Sequence, residues 1–280
     1  MLLRALFATG LVGLAGLSAG EVQAQAWTGP YVGATIGLQE AQDGDFKIVI
    51  HSIRDPRLTY TQAPVARTRN GPAFGSSEFA AIHAGWRVNV GPIVAGLEAQ
   101  VQQGSAETRY VSGLVLSEGS FRACGTTALG CLYTVNDLVT AEASVDQILS
   151  LKASVGKPVS DRLLVSAYAG PSVAFGNVAL SQETPFSIGV PRTTCTGTGC
   201  SLPIITDSGS LTRNRSGDDT AFGVTAGIIA DFKLTESVMA RADLSYARYE
   251  ALRLDRESFE TRVWAQPVLI TASLGLSVRF

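Results

Sequence analysis

The chain is short of charge. Only 16% of its 280 residues are Asp, Glu, Lys or Arg, against roughly 25% in an average soluble domain. What charge there is nearly cancels: 22 basic residues face 24 acidic ones, for a formal net charge of −2. A nucleic-acid-binding surface carries a basic surplus, so nucleic acid is excluded as a partner. Histidine is scarce, at two residues, and there are four cysteines. None of these stands in Cys-x-x-Cys spacing and no histidine lies close to them, so neither a zinc site nor any other metal or cofactor is expected. At 46% hydrophobic the chain is too apolar to stay disordered. Yet long apolar runs are missing too: only the N-terminus approaches the roughly 20 residues that a spanning helix needs. A chain so apolar, without such helices, is either a β protein with a bland surface or one that crosses a membrane as strands.

Residues 1–26 read as an export signal. Arg4 supplies the basic start, Ala5 to Ala19 the apolar stretch, and Ala24-Gln25-Ala26 the small-x-small site of signal peptidase. The alternative, an uncleaved anchor helix, is disfavoured by the glycines in the stretch and by the cleavage site. The expected organisation is a cleaved signal over 1–26 and one β-barrel domain over 27–280, with Trp27 as the new N-terminus. Export also makes disulfides the natural reading of the cysteines. Cys124, Cys131, Cys195 and Cys200 allow three connectivities. The short Gly- and Thr-rich segments favour local bridges, Cys124 with Cys131 and Cys195 with Cys200, each constraining the unfolded chain by about 2–3 kcal/mol.

What the mature chain has in abundance is alternation. At its end Val268, Ile270, Ala272, Leu274, Leu276, Val278 and Phe280 alternate with Leu269, Thr271, Ser273, Gly275, Ser277 and Arg279. The same period of two recurs from Val32 to Leu38, Ala80 to Val88, Ile93 to Val101, Ala143 to Val155, Leu163 to Phe175, Phe222 to Ala230 and Val238 to Tyr246. That predicts eight strands of about the 9–11 residues a tilted membrane strand requires. The gaps alternate in length. Asn89–Pro92, Gly156–Asp161 and Asp231–Ser237 are short; 39–77, 103–141 and 177–219 are long. The fold expected is therefore all-β: an eight-stranded antiparallel up-and-down transmembrane barrel with three long extracellular loops, both termini on the short-turn side.

Periodicity does not say which face points outward, and a lipocalin-like soluble barrel is the competing architecture. Its outer face would need many Lys and Glu residues. Here the face opposite the apolar one is mostly Gly, Ser, Thr and Ala, which suits a narrow lumen. Large aromatics on the apolar face sit near strand ends, Trp86 and Phe280 at one rim and Phe175, Phe222 and Tyr246 at the other, as at two lipid–water boundaries.

Short motifs support the same fold. Trp27-Thr28-Gly29-Pro30-Tyr31-Val32-Gly33, Gly96-Leu97-Glu98, Arg241-Ala242-Asp243 and the closing Gly275-Leu276-Ser277-Val278-Arg279-Phe280 resemble segments of the eight-stranded OmpA/OmpX-like outer-membrane barrels of Gram-negative bacteria. More narrowly, they resemble the porin-family, or outer-membrane immunogenic and opacity-type, members. The resemblance implies an outer-membrane location, and it implies that Phe280 is a signal to the barrel-assembly machinery. One departure stands out: where the family often places an acid two residues after the last Gly of the sixth strand, Ile229 follows Gly227.

By parity His83, Arg87, Glu98, Asp146, Lys152, Arg241, Asp243 and Arg279 point into the lumen, and burying such groups is costly unless they pair. They form either a plug of ion pairs, the preferred reading because eight strands leave room only for side chains, or a small gated channel. An enzyme acting on lipid A would need a nucleophile and base, for which only His51-Ser52-Ile53-Arg54-Asp55 offers candidates. Such a cluster is commoner in polar loops, so no catalytic residue is assigned. The expected role is structural or surface-interacting. Partners are lipid, lipopolysaccharide approached by Arg67, Arg69, Arg109, Arg213 and Arg215, and host or surface ligands met by the loops.

Overall fold

The computed structural model describes residues 27–42, 46–50, 65–69, 76–121, 131–191, 194–196, 199–201, 204–254 and 261–280. The export signal, His51-Ser52-Ile53-Arg54-Asp55 and Cys124 lie outside the described residues. In chain order the strands are β1 (Gly29–Gln42), β2 (Phe46–Ile50), β3 (Val65–Arg69), β4 (Ser76–Val90), β5 (Ile93–Phe121), β6 (Cys131–Ser160) and β7 (Leu163–Pro191). They continue as β8 (Thr194–Thr196), β9 (Gly199–Ser201), β10 (Ile204–Lys233), β11 (Val238–Tyr249), β12 (Leu252–Leu254), β13 (Thr261–Ala265) and β14 (Val268–Arg279). Eight of these close into a barrel in the order β1-β14-β11-β10-β7-β6-β5-β4, each antiparallel to its neighbours.

The three short connections all lie at one end, with the described termini. Gly91 takes a positive φ of 65° between β4 and β5, a conformation open to glycine at little cost. Between β10 and β11, Thr235 Oγ1 accepts the Val238 N–H at 3.0 Å.

Exposure settles which face looks outward. Ile36 is 72% exposed, Leu274 67% and Ile82 63%, while Thr35, His83 and Ser273 beside them in sequence are buried. The lipocalin-like arrangement is thereby excluded, because it would bury the aliphatic face. Trp86 and Phe280 stand exposed at the turn end, and Phe175, Phe222 and Tyr246 towards the other.

Beyond that second rim the structure departs from the expected loops. Most of 103–141 and 177–219 is strand: β5 and β7 run for 29 residues and β6 and β10 for 30. A tilted membrane strand needs only about 9–11. Four strands thus rise past the barrel as one sheet. A second sheet, ordered β12-β13-β2-β3, continues β11, β14, β1 and β4 upward in the same order. The two sheets share an apolar core of Ala141, Ala143, Val145, Val178 and Leu180 against Leu252, Val263 and Ala265. Arg253 N–H donates to Asp219 at 2.5 Å, fastening β12 beside β10. The barrel therefore carries a two-layered β head. At the head's β7–β10 connection, β8 and β9 set Cys195 directly across from Cys200 in register.

The reason these segments look like loops in sequence is visible along β7. Within the barrel the outward residues are Val165, Ala167, Ala169, Val173 and Phe175, and the inward ones include Ser166, Tyr168 and Ser172. Higher up, Asn177, Ser181 and Glu183 face out while Ala174, Val178 and Leu180 are buried. Alternation persists, but its polarity reverses where the solvent changes.

One parity assignment needs correction for the same region. Register shifts around Gln103/Ala106 and Val145/Gln147 insert a bulge at Asp146, which changes the facing of every later or earlier residue by one. Ala143 and Val145 are therefore buried rather than outward. Asp146 is exposed, not in the lumen, accepting from Ser105 at 3.3 Å and from Ser144 at 3.4 Å.

Candidate functional site in the barrel lumen

The lumen is built in layers. At the turn end Trp27, Tyr31, Val94, Leu164 and Met239 form a small apolar cluster, with the Lys233 ammonium 4.2 Å from the Trp27 ring centre.

Above it runs a chain of alternating charges. Asp231, fully buried, accepts from Arg87 Nη2 and, at 3.0 Å, from Arg241 Nε. Arg241 Nη1 lies 2.6 Å from Glu98 Oε2, which also accepts the Tyr31 hydroxyl at 2.7 Å. Lys152 Nζ is 3.9 Å from Glu98 and 3.0 Å from Asp243, and Asp243 accepts the Tyr168 hydroxyl at 2.9 Å. Arg87 stacks 4.4 Å from the Tyr31 ring centre, and Lys152 4.4 Å from that of Tyr168, adding cation–π attraction. His83 Nε2 sits 2.9 Å from Ser277 Oγ. Three carboxylates thus meet three cations, and the contacts reach all eight barrel strands.

A layer of hydroxyls and amides follows: Ser150 with Ser172 at 3.0 Å, Ser172 with Tyr249 at 2.9 Å, Gln102 donating to Gln39 at 2.8 Å, and Ser245 with Thr271. Between this layer and Lys152 and Asp243 lies a cavity of about 20 Å³, room for roughly one water. The apolar core of the head closes the top.

Of the residues assigned to the lumen from sequence, His83, Arg87, Glu98, Lys152, Arg241 and Asp243 are brought together here. Asp146 is not, for the reason given above. Arg279 stands apart at the turn end, half-buried, with Nη2 donating to the Glu236 carbonyl at 2.8 Å. Sequence reasoning missed Asp231 by ending the sixth strand at Ala230 and placing Asp231 in the turn. Extending that strand's alternation by one step puts Asp231 on the face of Gly227 and Ile229. The acid that the family pattern led one to seek at Ile229 is present two residues later, on the same side of the wall.

Two glycines make room for the tyrosines. A Cβ on Gly85 would lie 2.5 Å from the Tyr31 hydroxyl oxygen, and one on Gly227 2.7 Å from Tyr168 Cζ. Glycine in a strand interior marks such a close approach. Gly227→Val is expected to push Tyr168 off Asp243 and destabilise the barrel by about 1–3 kcal/mol. Urea unfolding followed by Tyr and Trp fluorescence in detergent micelles checks this.

The chemistry available to this arrangement is bracing. His83 and Ser277 juxtapose an imidazole and a hydroxyl, both buried. Among the described residues no group of three or more His, Cys, Asp or Glu is gathered as for a metal ion.

A sequence model of the family described as "Outer membrane protein beta-barrel domain" matches residues 9–280. No curated protein matches the chain in sequence. Among solved structures, Ail, the attachment invasion locus protein of Yersinia pestis, is similar at 13% identity and a TM-score of 0.30, over 90% of this chain and 99% of that one. A major outer membrane protein from Thermus thermophilus is similar at 12% identity and a TM-score of 0.34, over 89% and 99%. The outer membrane protease OmpT from Escherichia coli is similar at 10% identity and a TM-score of 0.26, over 90% and 97%.

Proposed function

Because the chain belongs to the outer membrane protein beta-barrel domain family, and so to the outer membrane, we propose that it is a non-conducting anchor that holds a β head at the cell surface for structural or surface-interacting work. The observation that carries this reading is the layering of the lumen. An ion network lies between two apolar seals, and a filled eight-stranded barrel offers no wide path for solute. The head then becomes the part of the molecule free to meet a partner. No enzymatic step is assigned.

In this reading residues 1–26 are removed on export, Phe280 guides the barrel-assembly machinery, and the turn end faces the periplasm. The facing positions of Cys195 and Cys200 support a local bridge there, with Cys124 and Cys131 forming the other. Lipopolysaccharide surrounds the wall just above the Phe175 and Phe222 belt. There Arg109 is exposed beside Glu142 at 3.1 Å, and Arg248 is exposed next to Tyr246. Arg248 is a candidate phosphate contact that the sequence reading did not name. Arg215, half-buried, lines one cavity with Arg109 and Glu142 and stays a candidate for the same contact.

Two measurements on wild-type protein test the proposal. Reconstituted in planar bilayers, it is expected to give no large, stable conductance. On intact cells, added protease is expected to trim the head and spare the barrel. Sustained wild-type channels would refute the sealed lumen, and a head cut only after the outer membrane is breached would refute its orientation.

A further inference from the structure

The outer surface of the four strands that rise past the barrel holds one polar cavity. In register across β5, β6, β7 and β10, one row reads Arg109, Glu142, Ala179 and Ser216, and the next has Thr140, Ser181 and Asn214 on the last three strands. Ala179, Ser181 and Ser216 are small, so the longer side chains beside them stand up as walls. The space between, bordered also by Leu180 and Arg215, measures about 480 Å³, within the range of about 300–1,000 Å³ for ligand clefts.

Its polar groups are mixed donors and acceptors. Arg109 Nε lies 3.1 Å from Glu142, an ion pair that engages one nitrogen and leaves the forked terminal amines for a ligand, the fork that grips a phosphate with two hydrogen bonds. Across the cavity the Ser181 hydroxyl donates to Asn214 Oδ1 at 2.8 Å, which leaves the Asn214 N–H groups as donors. Thr140 and Ser216 add hydroxyls. The rest of this outer face is acidic: Glu107, Asp146 and Asp218 lie nearer the membrane and Glu183 lies beyond Ser181, all exposed. An anion is therefore met by two arginines at the cavity and repelled around it, which is a way of fixing position.

Depth narrows the ligand. Ala179 and Ser181 follow the rim residue Phe175 on β7 by about 13 and 20 Å along the strand. Aromatics mark the edge of the hydrocarbon, so the cavity stands at the level of the phosphates and sugars of the outer leaflet. We propose that it is a binding site for a phosphorylated saccharide, with Arg109 and Arg215 on the phosphate and Glu142, Thr140, Ser181, Asn214 and Ser216 on the sugar hydroxyls. Weak affinity suffices if the sugar belongs to the surrounding lipopolysaccharide, because sharing one leaflet supplies a high effective concentration. The inference rests on the head standing outside the membrane and names what one part of it holds.

The test uses the folded full-length protein in detergent micelles with glucose 1-phosphate as probe, followed by backbone amide NMR shifts. Saturable shifts at Glu142, Ala179, Ser181 and Asn214 are expected, with a dissociation constant of about 1 mM. Glucose and inorganic phosphate are each expected to bind at least tenfold more weakly. Ala179→Leu, which fills the floor, and Arg109→Gln, which removes the fork, are expected to weaken binding at least tenfold, with unboiled gel mobility confirming an intact barrel. No saturable shift at tens of millimolar, an equal response to phosphate alone, or undiminished binding in Ala179→Leu would each overturn the proposal. A second arm compares amide exchange in vesicles with and without lipopolysaccharide. Slower exchange at the same four residues assigns the sugar to the protein's own membrane; binding of the probe without such slowing assigns it to a glycan from outside, and either supports the site. Failure here leaves the anchor reading standing, since conductance and protease accessibility judge that reading.

Discussion

Asp231→Ala is expected to destabilise the barrel by about 3–5 kcal/mol, the cost of leaving buried charge without its partner. Among the described residues Asp231 is the carboxylate that joins Arg87 to Arg241; the Tyr31 ring lies against both. Without it two guanidiniums, each almost wholly buried, are left with one carboxylate, Glu98, which already serves Arg241, Lys152 and Tyr31. The midpoint of urea unfolding, read from the shift between folded and unfolded bands on unboiled gels, should fall sharply. Asp231→Asn should fall less, since the amide oxygen still accepts one N–H. A drop below 1 kcal/mol for the alanine variant would mean that water replaces the carboxylate, and that the network is not the brace described.

Leu274→Arg is expected to cost about 2–4 kcal/mol, the range for a cation at mid-depth on the lipid face of a barrel. By exposure alone this should be among the mildest of changes: Leu274 is 67% exposed, and its neighbour Ile36 on β1 is 72% exposed. In a water-soluble protein a charge there would be neutral or favourable. The paired control is Glu107→Arg, on the same outer surface but above the aromatic rim, where a change within about 0.5 kcal/mol is expected. The comparison is made by folding both variants into lipid vesicles and measuring the folded fraction across a urea series. Equal tolerance at both positions would contradict a hydrocarbon environment for the lower surface.

The barrel was legible because a membrane wall imposes one strict rule. Residues from Ile270 to Phe280 alternate apolar with small or polar at every step, and the same rule fixes the inward facing of Glu98, Lys152, Arg241 and Asp243. The head was not legible, because the rule reverses there. Val173 and Phe175 face out below the rim, yet Val178 and Leu180 face in above it, so a reader following apolar-outward strands sees the pattern stop. Asp146 was misplaced by a bulge, a local insertion with no residue signature of its own. Asp231 was misplaced by a boundary drawn one residue early, beside a turn whose Thr, Glu and Ser residues blur where the strand ends. Parity puts Tyr31 and Tyr168 on the inward face without showing that they join the network. Their role depends on Gly85 and Gly227 lying opposite them on neighbouring strands, and pairing register is a property of three-dimensional neighbours.

The charge chain also bears on how the molecule comes to exist. Its contacts join residues far apart in sequence: Arg87 with Asp231 across 144 positions, Glu98 with Arg241 across 143, Lys152 with Asp243 across 91. A sheet with only its first hairpins in place sets Glu98 opposite Lys152 but leaves Arg87 without Asp231 and Glu98 without Arg241. Lipid therefore disfavours every half-made intermediate. Insertion and curling are coupled, because the sixth and seventh barrel strands bring Asp231, Arg241 and Asp243 to the charges that the second, third and fourth carry in.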